Sequence, residues 1–295
     1  MMSKSLDLNS GNFSVPVKIS ADTRLMGVIG QNISHSLSPA IHNFSAQDLG
    51  INIAYVVLDV PQANVRYLLS SLWEVGALGF SVTSPHKETV ARLTNNHSLR
   101  AVNTVVRDHY GWSAASTDAE GLSQAIQHLG FDFKGFTRVL ILGNGGVTQS
   151  ILHHISQSFE VCPEVVVFRR DPGRDELLKS VVSKELSLRF EEFDVVSLSR
   201  ETQGRSGETI LIQATNAPLL GESLGALSPA LDQYHGVFVD LVYGTTSALL
   251  EAAKRLKIPY QDGIPMLIEQ ARLAQKLWWG KAVSYERIHQ FLGKL

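Results

Sequence analysis

A glycine-rich turn in the second half of the chain has the composition of a phosphate cradle. Gly143-Asn144-Gly145-Gly146 lies between an apolar, strand-like run and a helix-like segment. Small residues at such a turn let the backbone approach a pyrophosphate, whose charge the N-terminus of a helix favours. The turn is not a full G-x-G-x-x-G motif, because residue 148 is threonine. The pattern therefore indicates either a dinucleotide site or simply a tight strand-to-helix turn.

Two arginines after the next strand bear on which dinucleotide would bind. A site for NAD places an acidic side chain at the end of this strand, where it binds the ribose 2′-hydroxyl. Here Phe168, Arg169 and Arg170 stand at the strand end, and the nearest acid, Asp171, comes later. A guanidinium group suits a 2′-phosphate and can stack on adenine, so the pattern favours NADP over NAD. The alternative is a solvated pair of surface charges.

Hydroxyl and ammonium groups in the first half of the chain could bind an anionic substrate. Ser36 and Ser38 lie two residues apart just before a predicted helix, so both hydroxyls could donate to one carboxylate near its N-terminus. Ser38, followed by Pro39, could instead only cap that helix. Lys87 follows a strand-like run and a proline turn, a position from which it could exchange a proton with a substrate oxygen. By spacing alone, Lys87 and Asp118 would be unrelated surface charges.

The chain alternates strand-like and helix-like segments, which predicts mainly parallel sheets covered by helices. In the first half we predict strands at 24–30, 54–60 and 78–82, helices at 38–49 and 62–76, and a hairpin of 101–107 with 111–115. In the second half we predict strands at 137–143, 165–168, 209–213 and 237–242, and helices at 118–129, 146–158, 247–256, 263–277 and 284–292. We therefore expect two α/β halves with a hinge near residue 117.

Composition narrows the class of protein further. The 295 residues correspond to about two domains at roughly 150 residues each, and a hydrophobic content of 44 % supplies packed cores. The 26 basic and 28 acidic residues give a net charge of −2, which argues against nucleic acid or a membrane surface as a partner. A single cysteine, Cys162, and ten histidines without H-E-x-x-H spacing indicate no metal site.

Targeting segments are not evident in the sequence. No apolar run approaches the roughly 18 residues of a membrane span, and the first twenty residues lack the basic-then-apolar order of a signal peptide. We therefore expect a cytoplasmic protein.

Six short motifs in a fixed order give the chain a specific resemblance. The first four are His35-Ser36-Leu37-Ser38-Pro39, Ser81-Val82-Thr83-Ser84-Pro85-His86-Lys87, Ala101-Val102-Asn103-Thr104 and Ser116-Thr117-Asp118. The glycine turn and then Asp262-Gly263-Ile264-Pro265-Met266-Leu267-Ile268-Glu269-Gln270-Ala271 follow. Together they resemble the shikimate dehydrogenase family over about residues 24–293. Residues 1–22 are polar with little periodicity, which predicts a flexible extension. The resemblance implies a substrate-binding domain of 23–117 with 263–295, and a Rossmann-like NADP-binding domain at 118–262.

The same resemblance implies an activity and a set of site residues. The activity is the reversible reduction of 3-dehydroshikimate to shikimate with NADPH, a step toward chorismate and the aromatic amino acids. Lys87 and Asp118 would form the catalytic pair. The implied substrate contacts are Ser36, Ser38, Thr83, Asn103, Tyr243 and Gln270. The implied cofactor contacts are Gly143, Asn144, Gly145, Gly146, Val147, Arg169, Arg170, Leu241 and Gly263. We expect a monomer or a homodimer.

Departures from the family pattern lie mostly in the half that would bind the cofactor. Asn144 and Val147 are bulkier than the usual residues of the glycine turn, and Phe168-Arg169-Arg170 replaces Asn-Arg-Thr. In the substrate half, Ser81 replaces an asparagine. Two alternatives therefore stay open: a quinate/shikimate dehydrogenase relative, and a shikimate-binding paralogue with impaired use of the cofactor. The two serines before the first helix favour shikimate, because a bulkier residue there would accommodate the extra hydroxyl of quinate differently.

Overall fold

A computed structural model describes residues 15–94, 99–183, 185–203 and 206–295. Contacts within the chain divide it into two compact units. Unit 1 comprises the described residues up to Gly121 together with Leu267–Leu295, and unit 2 comprises Leu122–Met266. Both divisions fall later in the chain than the predicted boundaries after residues 117 and 262. Of the predicted extension, residues 1–14 lie outside the described residues, and residues 15–22 contain no helix or strand.

The elements alternate along the chain as the sequence predicts. The strands are β1 (Arg24–Gly30), β2 (Ile53–Asp59), β3 (Gly79–Val82), β4 (Thr104–Asp108), β5 (Gly111–Ala115), β6 (Arg138–Leu142), β7 (Glu164–Arg169), β8 (Leu188–Glu192), β9 (Ser206–Gln213), β10 (His235–Asp240) and β11 (Tyr260–Gln261). The helices are α1 (Ser38–Asp48), α2 (Val65–Glu74), α3 (Lys87–Leu93), α4 (Asp118–Gln127), α5 (Gly146–Ser158), α6 (Asp175–Lys179), α7 (Val195–Thr202), α8 (Ala248–Leu256), α9 (Ile264–Trp279) and α10 (Tyr285–Leu292).

Unit 1 is built on a five-stranded, mixed sheet in the order β2-β1-β3-β4-β5. β1 pairs in parallel with β2 and β3, and the predicted hairpin of β4 and β5 continues the sheet with antiparallel pairing. Successive side chains of a strand point to opposite faces, and both faces of β1 are buried. Met26 and Val28 pack against Tyr55 on one face, while Ile29 joins Phe80 on the other. This double burial is typical of a parallel sheet covered by helices.

The C-terminal helices return to the sheet of unit 1. Trp278 of α9 donates its indole N–H to the carbonyl oxygen of Val105 at 2.9 Å, and its ring lies 5.1 Å from that of His42 in α1. Phe291 of α10 stacks on Phe44 with a ring separation of 4.2 Å. These contacts explain why residues after 267 belong to the same unit as the first part of the chain.

Unit 2 contains a six-stranded, wholly parallel sheet in the order β11-β10-β9-β6-β7-β8. Its central strand β6 is buried throughout, as expected of a strand covered on both faces. The strand order reverses between β6 and β9. This reversal is typical of doubly wound folds, which bind ligands where the carboxyl ends of the strands diverge.

Two negative findings apply to the described ranges. No helix there is both long and apolar enough to cross a membrane. No three His, Cys, Asp or Glu side chains in the same ranges are grouped so that they could hold a metal ion.

Candidate active site

One edge of the sheet in unit 1 carries most of the predicted substrate residues. Because β1 and β3 are parallel, the loops that follow them leave the sheet at the same edge. β4 begins and β5 ends at this edge too, because Ser81 pairs with Thr104 and Thr104 pairs with Ala115 in the antiparallel part of the sheet. The edge therefore carries Ser36 and Ser38 after β1, Thr83 and Lys87 after β3, Asn103 before β4 and Asp118 after β5.

Lys87 and Asp118 form a direct ion pair at this edge. The ammonium nitrogen of Lys87 lies 2.5 Å from Oδ2 of Asp118, and the two side chains are only 13 % and 8 % exposed. Each residue opens a helix, α3 and α4 respectively. The partial positive charge of a helix N-terminus favours a carboxylate and disfavours an ammonium. The carboxylate of Asp118 therefore compensates for the unfavourable position of the Lys87 charge.

Asn103 holds the second oxygen of that carboxylate. Its Nδ2 donates to Oδ1 of Asp118 at 2.8 Å and to Oγ1 of Thr117 at 2.9 Å. Its Oδ1 accepts a hydrogen bond from the backbone N–H of Thr117 at 2.7 Å. Nδ2 also lies 3.3 Å from Oε1 of Gln270, whose own Nε2 donates to the carbonyl of Leu267 at 2.9 Å. Both oxygens of Asp118 thus have fixed partners. Thr117, which the sequence places in a motif but without a role, also belongs to this cluster.

Gly121 permits the close approach of α4 and α9 that brings Gln270 to this cluster. A Cβ atom at residue 121 would lie 2.8 Å from the backbone nitrogen of Gln270, closer than side chains tolerate. Asp118 stands one helical turn before this contact, and the N–H of Gly121 donates to the carbonyl of Thr117 at 2.9 Å. The contacts of Asp118 are therefore with unit 1, although the predicted boundary placed it at the start of the other domain.

The two serines lie where the chain enters α1. The backbone N–H of Ser38 donates to Oγ of Ser36 at 3.3 Å; Ser38 is buried and Ser36 half-buried. The expectation that Ser38 caps α1 is wrong. Leu37 is the N-cap residue, its backbone is already near-helical, and no side chain caps this end. Since a turn from Ile33 to Ser36 precedes it, the helix starts early enough to place Ser38 inside its first turn.

Thr83 and Ser81 line the end of β3. The Cγ2 atom of Thr83 packs against Gly30 at the end of β1, where a Cβ atom would be only 2.6 Å away. The backbone N–H of Thr83 donates to the carbonyl of Ile29 at 2.9 Å. Ser81 is buried, and its hydroxyl accepts a hydrogen bond from the hydroxyl of Tyr55 at 2.7 Å. Tyr55 thus supplies a polar partner for the serine that replaces the family's asparagine.

The conformation of the glycine turn in unit 2 depends on the backbone of Gly143 and on two neighbouring threonines, Thr148 and Thr215. Gly143 has φ = +107°, and a Cβ atom there would lie 2.7 Å from Cγ2 of Thr215. The hydroxyl of Thr148 donates to the carbonyl of Gly143 at 2.7 Å. Gly145 is the N-cap of α5 without a side-chain partner, and a Cβ atom there would meet nothing within 4 Å. The open face above Gly145, at the N-terminus of a 13-residue helix, fits a pyrophosphate.

Asn144 is accommodated by the loop after β7. Its Nδ2 donates to the carbonyl of Asp171 at 2.8 Å, so the bulkier side chain is hydrogen-bonded to a neighbouring loop. The Nε of Arg174 donates to the carbonyl of Asn144 at 2.9 Å, which holds this guanidinium against the glycine turn. The sequence interpretation missed Arg174. The available signal was a third arginine within seven residues of the strand end.

The two predicted cofactor arginines differ in their surroundings. Arg169 is 13 % exposed, and its guanidinium contacts Glu192 at 2.6 Å and Asp175 at 3.2 Å. The hydrogen bond that Arg169 donates to Glu192 is the main cause that raises the pKa of Arg169 above its ordinary value. Arg170 is 56 % exposed and contacts Glu222 at 2.6 Å. Of the two, Arg170 is the guanidinium that solvent reaches.

Leu241 and Gly263 lie side by side at the carboxyl edge of the second sheet. A Cβ atom at Gly263 would be 2.5 Å from the carbonyl oxygen of Leu241, and the N–H of Gly263 donates to the carbonyl of Val242 at 3.1 Å. Tyr243 follows in the same loop and is half-buried. It belongs to unit 2, whereas the other predicted substrate residues belong to unit 1.

Asp240 is a buried carboxyl group that the sequence interpretation missed. Its oxygens accept hydrogen bonds from the Ser247 hydroxyl, from the Val242 N–H at 3.0 Å and from Nε2 of Gln213 at 3.3 Å. Burial raises the pKa of Asp240 to about 6, although these hydrogen bonds act in the opposite direction. The cluster joins the end of β9 to the loop that carries Leu241 and Tyr243.

Taken together, fold and site define a class: a two-unit α/β protein with one dinucleotide-type sheet and a Lys–Asp pair at the edge of the other. Residues 28–105 match the family model described as the shikimate dehydrogenase substrate binding domain. A shikimate dehydrogenase (NADP(+)) of Magnetococcus marinus is 30% identical, with 99% of this chain and 99% of that protein aligned. A shikimate dehydrogenase (NADP(+)) of Methanopyrus kandleri is 30% identical, with 92% of this chain and 96% of that protein aligned. This chain belongs to the shikimate dehydrogenase family.

A solved structure agrees with this assignment. The crystal structure of shikimate 5-dehydrogenase from Thermus thermophilus, in complex with NADP(H) and shikimate, superposes with a TM-score of 0.74. It is 27% identical and covers 92% of this chain and 99% of its own.

Proposed function

We propose that this chain interconverts 3-dehydroshikimate and shikimate with NADP(H) as cofactor. The observation that carries the proposal is the cluster of Lys87, Asp118 and Asn103 at the edge of the first sheet, with both carboxylate oxygens of Asp118 held. The names of the relatives, and the shikimate and NADP(H) bound in the Thermus enzyme, support it. The product would serve the synthesis of chorismate and the aromatic amino acids.

The residues of unit 2 fit a dinucleotide. The turn from Gly143 to Val147 and the N-terminus of α5 would hold the pyrophosphate. Of the two arginines that the sequence assigns to the 2′-phosphate, Arg170 would bind it, helped by Arg174 in place of Arg169, which is already paired with Glu192 and Asp175. Leu241 and Gly263 would lie near the nicotinamide. When bound, NADP(H) supplies or accepts the hydride.

The residues of unit 1 would position the substrate and move the proton. Reduction of a ketone to an alcohol adds a proton to the carbonyl oxygen, and Lys87 would donate it. The ammonium group of Lys87 has three N–H bonds, of which one points to Asp118. Asp118 would hold Lys87 and accept a hydrogen bond from a substrate hydroxyl, while Asn103 keeps its carboxylate oriented. Ser36 and Ser38 would bind the substrate carboxylate, and Thr83, Tyr243 and Gln270 the ring hydroxyls.

The proposal is tested by the initial rate of NADPH formation from shikimate and NADP⁺, repeated with NAD⁺ and with quinate. We expect turnover with NADP⁺ and shikimate. Lys87→Ala should lower kcat by about 10²- to 10⁴-fold, the range for loss of a general acid–base group, while the Kd for shikimate changes little. A matched control is Lys254→Ala, which removes an ammonium paired with Glu251 on α8 and should leave kcat unchanged. Near-normal kcat in Lys87→Ala would exclude Lys87 as the proton donor.

One observation favours a second candidate, a shikimate-binding protein with impaired cofactor use. Both predicted cofactor arginines already contact carboxylates of the chain itself. Calorimetric titration separates the two functions. A folded protein that binds shikimate but neither NADP⁺ nor NADPH at millimolar concentration would support the binding protein and exclude the dehydrogenase.

A further inference from the structure

The exposed arginine of the candidate cofactor site is paired with a glutamate from a distant part of the chain. Nη1 of Arg170 lies 2.6 Å from Oε2 of Glu222. The two side chains are 56 % and 46 % exposed, so solvent reaches both. Arg170 directly follows β7, and Glu222 follows the short helical turn after β9. Both loops leave the carboxyl edge of the same parallel sheet, the edge where the glycine turn also lies.

Arg169 cannot take over the role of Arg170 without losing its own partners. Its Nε and Nη1 contact Asp175 and Glu192, and its side chain is largely buried. Arg170 instead keeps one ion pair and a contact with the face of Phe193, whose ring centre is 4.8 Å from the guanidinium carbon. The ring would support the guanidinium in place if the carboxylate were removed.

Glu222 is positioned by the backbone around it. Its N–H donates to the carbonyl of Ala217 at 2.9 Å, and Gly221 just before it has φ = +77°, which closes the turn. The glutamate is therefore presented to Arg170 by a defined loop. An ion pair between exposed side chains is weak, so another anion can displace it.

We propose that Glu222 is a specificity-determining residue of the cofactor site, because its carboxylate competes with the 2′-phosphate of NADP(H) for Arg170. The inference rests on the proposed function for the identity of the cofactor. NADP(H) must displace Glu222 from Arg170 and then lies near a like charge, whereas NAD(H) has no 2′-phosphate and leaves the pair intact. Glu222 therefore weakens binding of the 2′-phosphorylated cofactor selectively and narrows the preference for NADP over NAD.

Isothermal titration calorimetry of the full chain with NADP⁺ and with NAD⁺ tests this directly. Glu222→Gln removes the charge and keeps the shape of the side chain. We expect its Kd for NADP⁺ to fall by roughly five- to tenfold, the scale of an exposed ion pair plus relief of a like charge, and its Kd for NAD⁺ to change less than about twofold. The control Glu251→Gln removes an exposed charge on α8, paired there with Lys254, and should change neither Kd beyond that margin.

A double-mutant cycle identifies the partner. In the Arg170→Ala background, Glu222→Gln should lower the Kd for NADP⁺ by no more than about twofold, because competition for the guanidinium is gone and only the solvent-screened repulsion between Glu222 and the 2′-phosphate remains. Three results would overturn the inference: an equal effect on NADP⁺ and NAD⁺, no effect on NADP⁺, or weaker binding of NADP⁺, which would mean that Glu222 orients Arg170 productively.

Turnover of the wild type on shikimate and NADP⁺, measured on the same preparations, separates this inference from the proposed function. Selective tightening in Glu222→Gln without turnover in the wild type would support competition at Arg170 and refute the dehydrogenase. Turnover in the wild type with an unchanged Kd in Glu222→Gln would refute competition alone.

Discussion

Replacement of Asp240 by asparagine should raise the stability of unit 2 relative to wild type progressively as the pH increases toward neutrality. Asp240 is 1% exposed, and burial raises its pKa from 3.8 to about 6. Because the folded state binds this proton more tightly than the unfolded state, the contribution of Asp240 to stability is fully present below about pH 3.8 and is lost as pH rises through about 6. An asparagine at this position does not ionise, so the variant does not lose stability through ionisation of a buried group as the pH rises. Its side-chain oxygen can still accept the hydrogen bond from Val242.

The pKa difference sets the size of the effect. At 1.36 kcal/mol per pH unit, a rise from 3.8 to about 6 corresponds to about 3 kcal/mol of stability lost at neutral pH. Linkage places roughly 2 kcal/mol of this change between about pH 4.5 and about pH 7. The free energy of unfolding of the variant minus that of wild type should therefore increase by about 2 kcal/mol over this interval.

Urea unfolding followed by far-ultraviolet circular dichroism measures this difference at several pH values. Tryptophan fluorescence is unsuitable, because all 4 tryptophans lie outside unit 2. A matched control is Glu251→Gln, which removes an exposed carboxylate from the same unit and keeps Asp240, so its pH profile should follow wild type. A difference between Asp240→Asn and wild type that stays constant or falls with rising pH would refute the reasoning.

Two further predictions concern the candidate active site. Asn103→Ala removes the donor to Oδ1 of Asp118 and should lower kcat by about 10- to 100-fold, the scale of a lost hydrogen bond to a charged group, with an unchanged circular dichroism spectrum; an unchanged kcat would exclude a positioning role. Gly143→Ala should destabilise the protein by roughly 1–3 kcal/mol, because of its φ of +107° and its contact with Thr215. Gly145→Ala, with open space at Cβ, should keep the melting temperature and weaken NADP⁺ binding. Equal melting temperatures for the two glycine variants would contradict this.

Continuous apolar runs made the central strands of the fold predictable. Short elements that contain several charged residues were not predicted. The predicted strand at 24–30 coincides with β1, and the central strands of unit 2 lie within two or three residues of their predicted positions. The edge strand β8 was missed although Leu188–Glu192 alternates apolar with charged residues, a pattern typical of a half-buried strand, because the run is only five residues long. There Arg189 contacts Glu164 of β7 at 2.7 Å. α3 was missed because it begins directly after the proline turn, at Lys87.

The site was predictable as a set of motifs, whereas its internal contacts were not. Asn103 and Asp118 are 15 residues apart, and Asn103 and Gln270 are 167 apart, separations at which side-chain periodicity carries no information. The Arg170–Glu222 pair depends on two loops meeting after a reversal of strand order, which the sequence does not encode locally. Contacts of this kind can be predicted only when the strand order of the sheet is known.

The departures from the family pattern bear differently on binding and on chemistry. In the glycine turn, the residues that differ from the family pattern are accommodated by local hydrogen bonds. Asn144 donates to the loop after β7, and Thr148 donates to the carbonyl of Gly143. The altered strand end instead places carboxylates on both arginines. The Lys87–Asp118 pair in unit 1 is assembled independently of that change. Loss of ground-state binding raises KM, whereas loss of a proton donor lowers kcat. We therefore expect the departures to appear as a raised KM for NADP⁺, with kcat set by the cluster in unit 1.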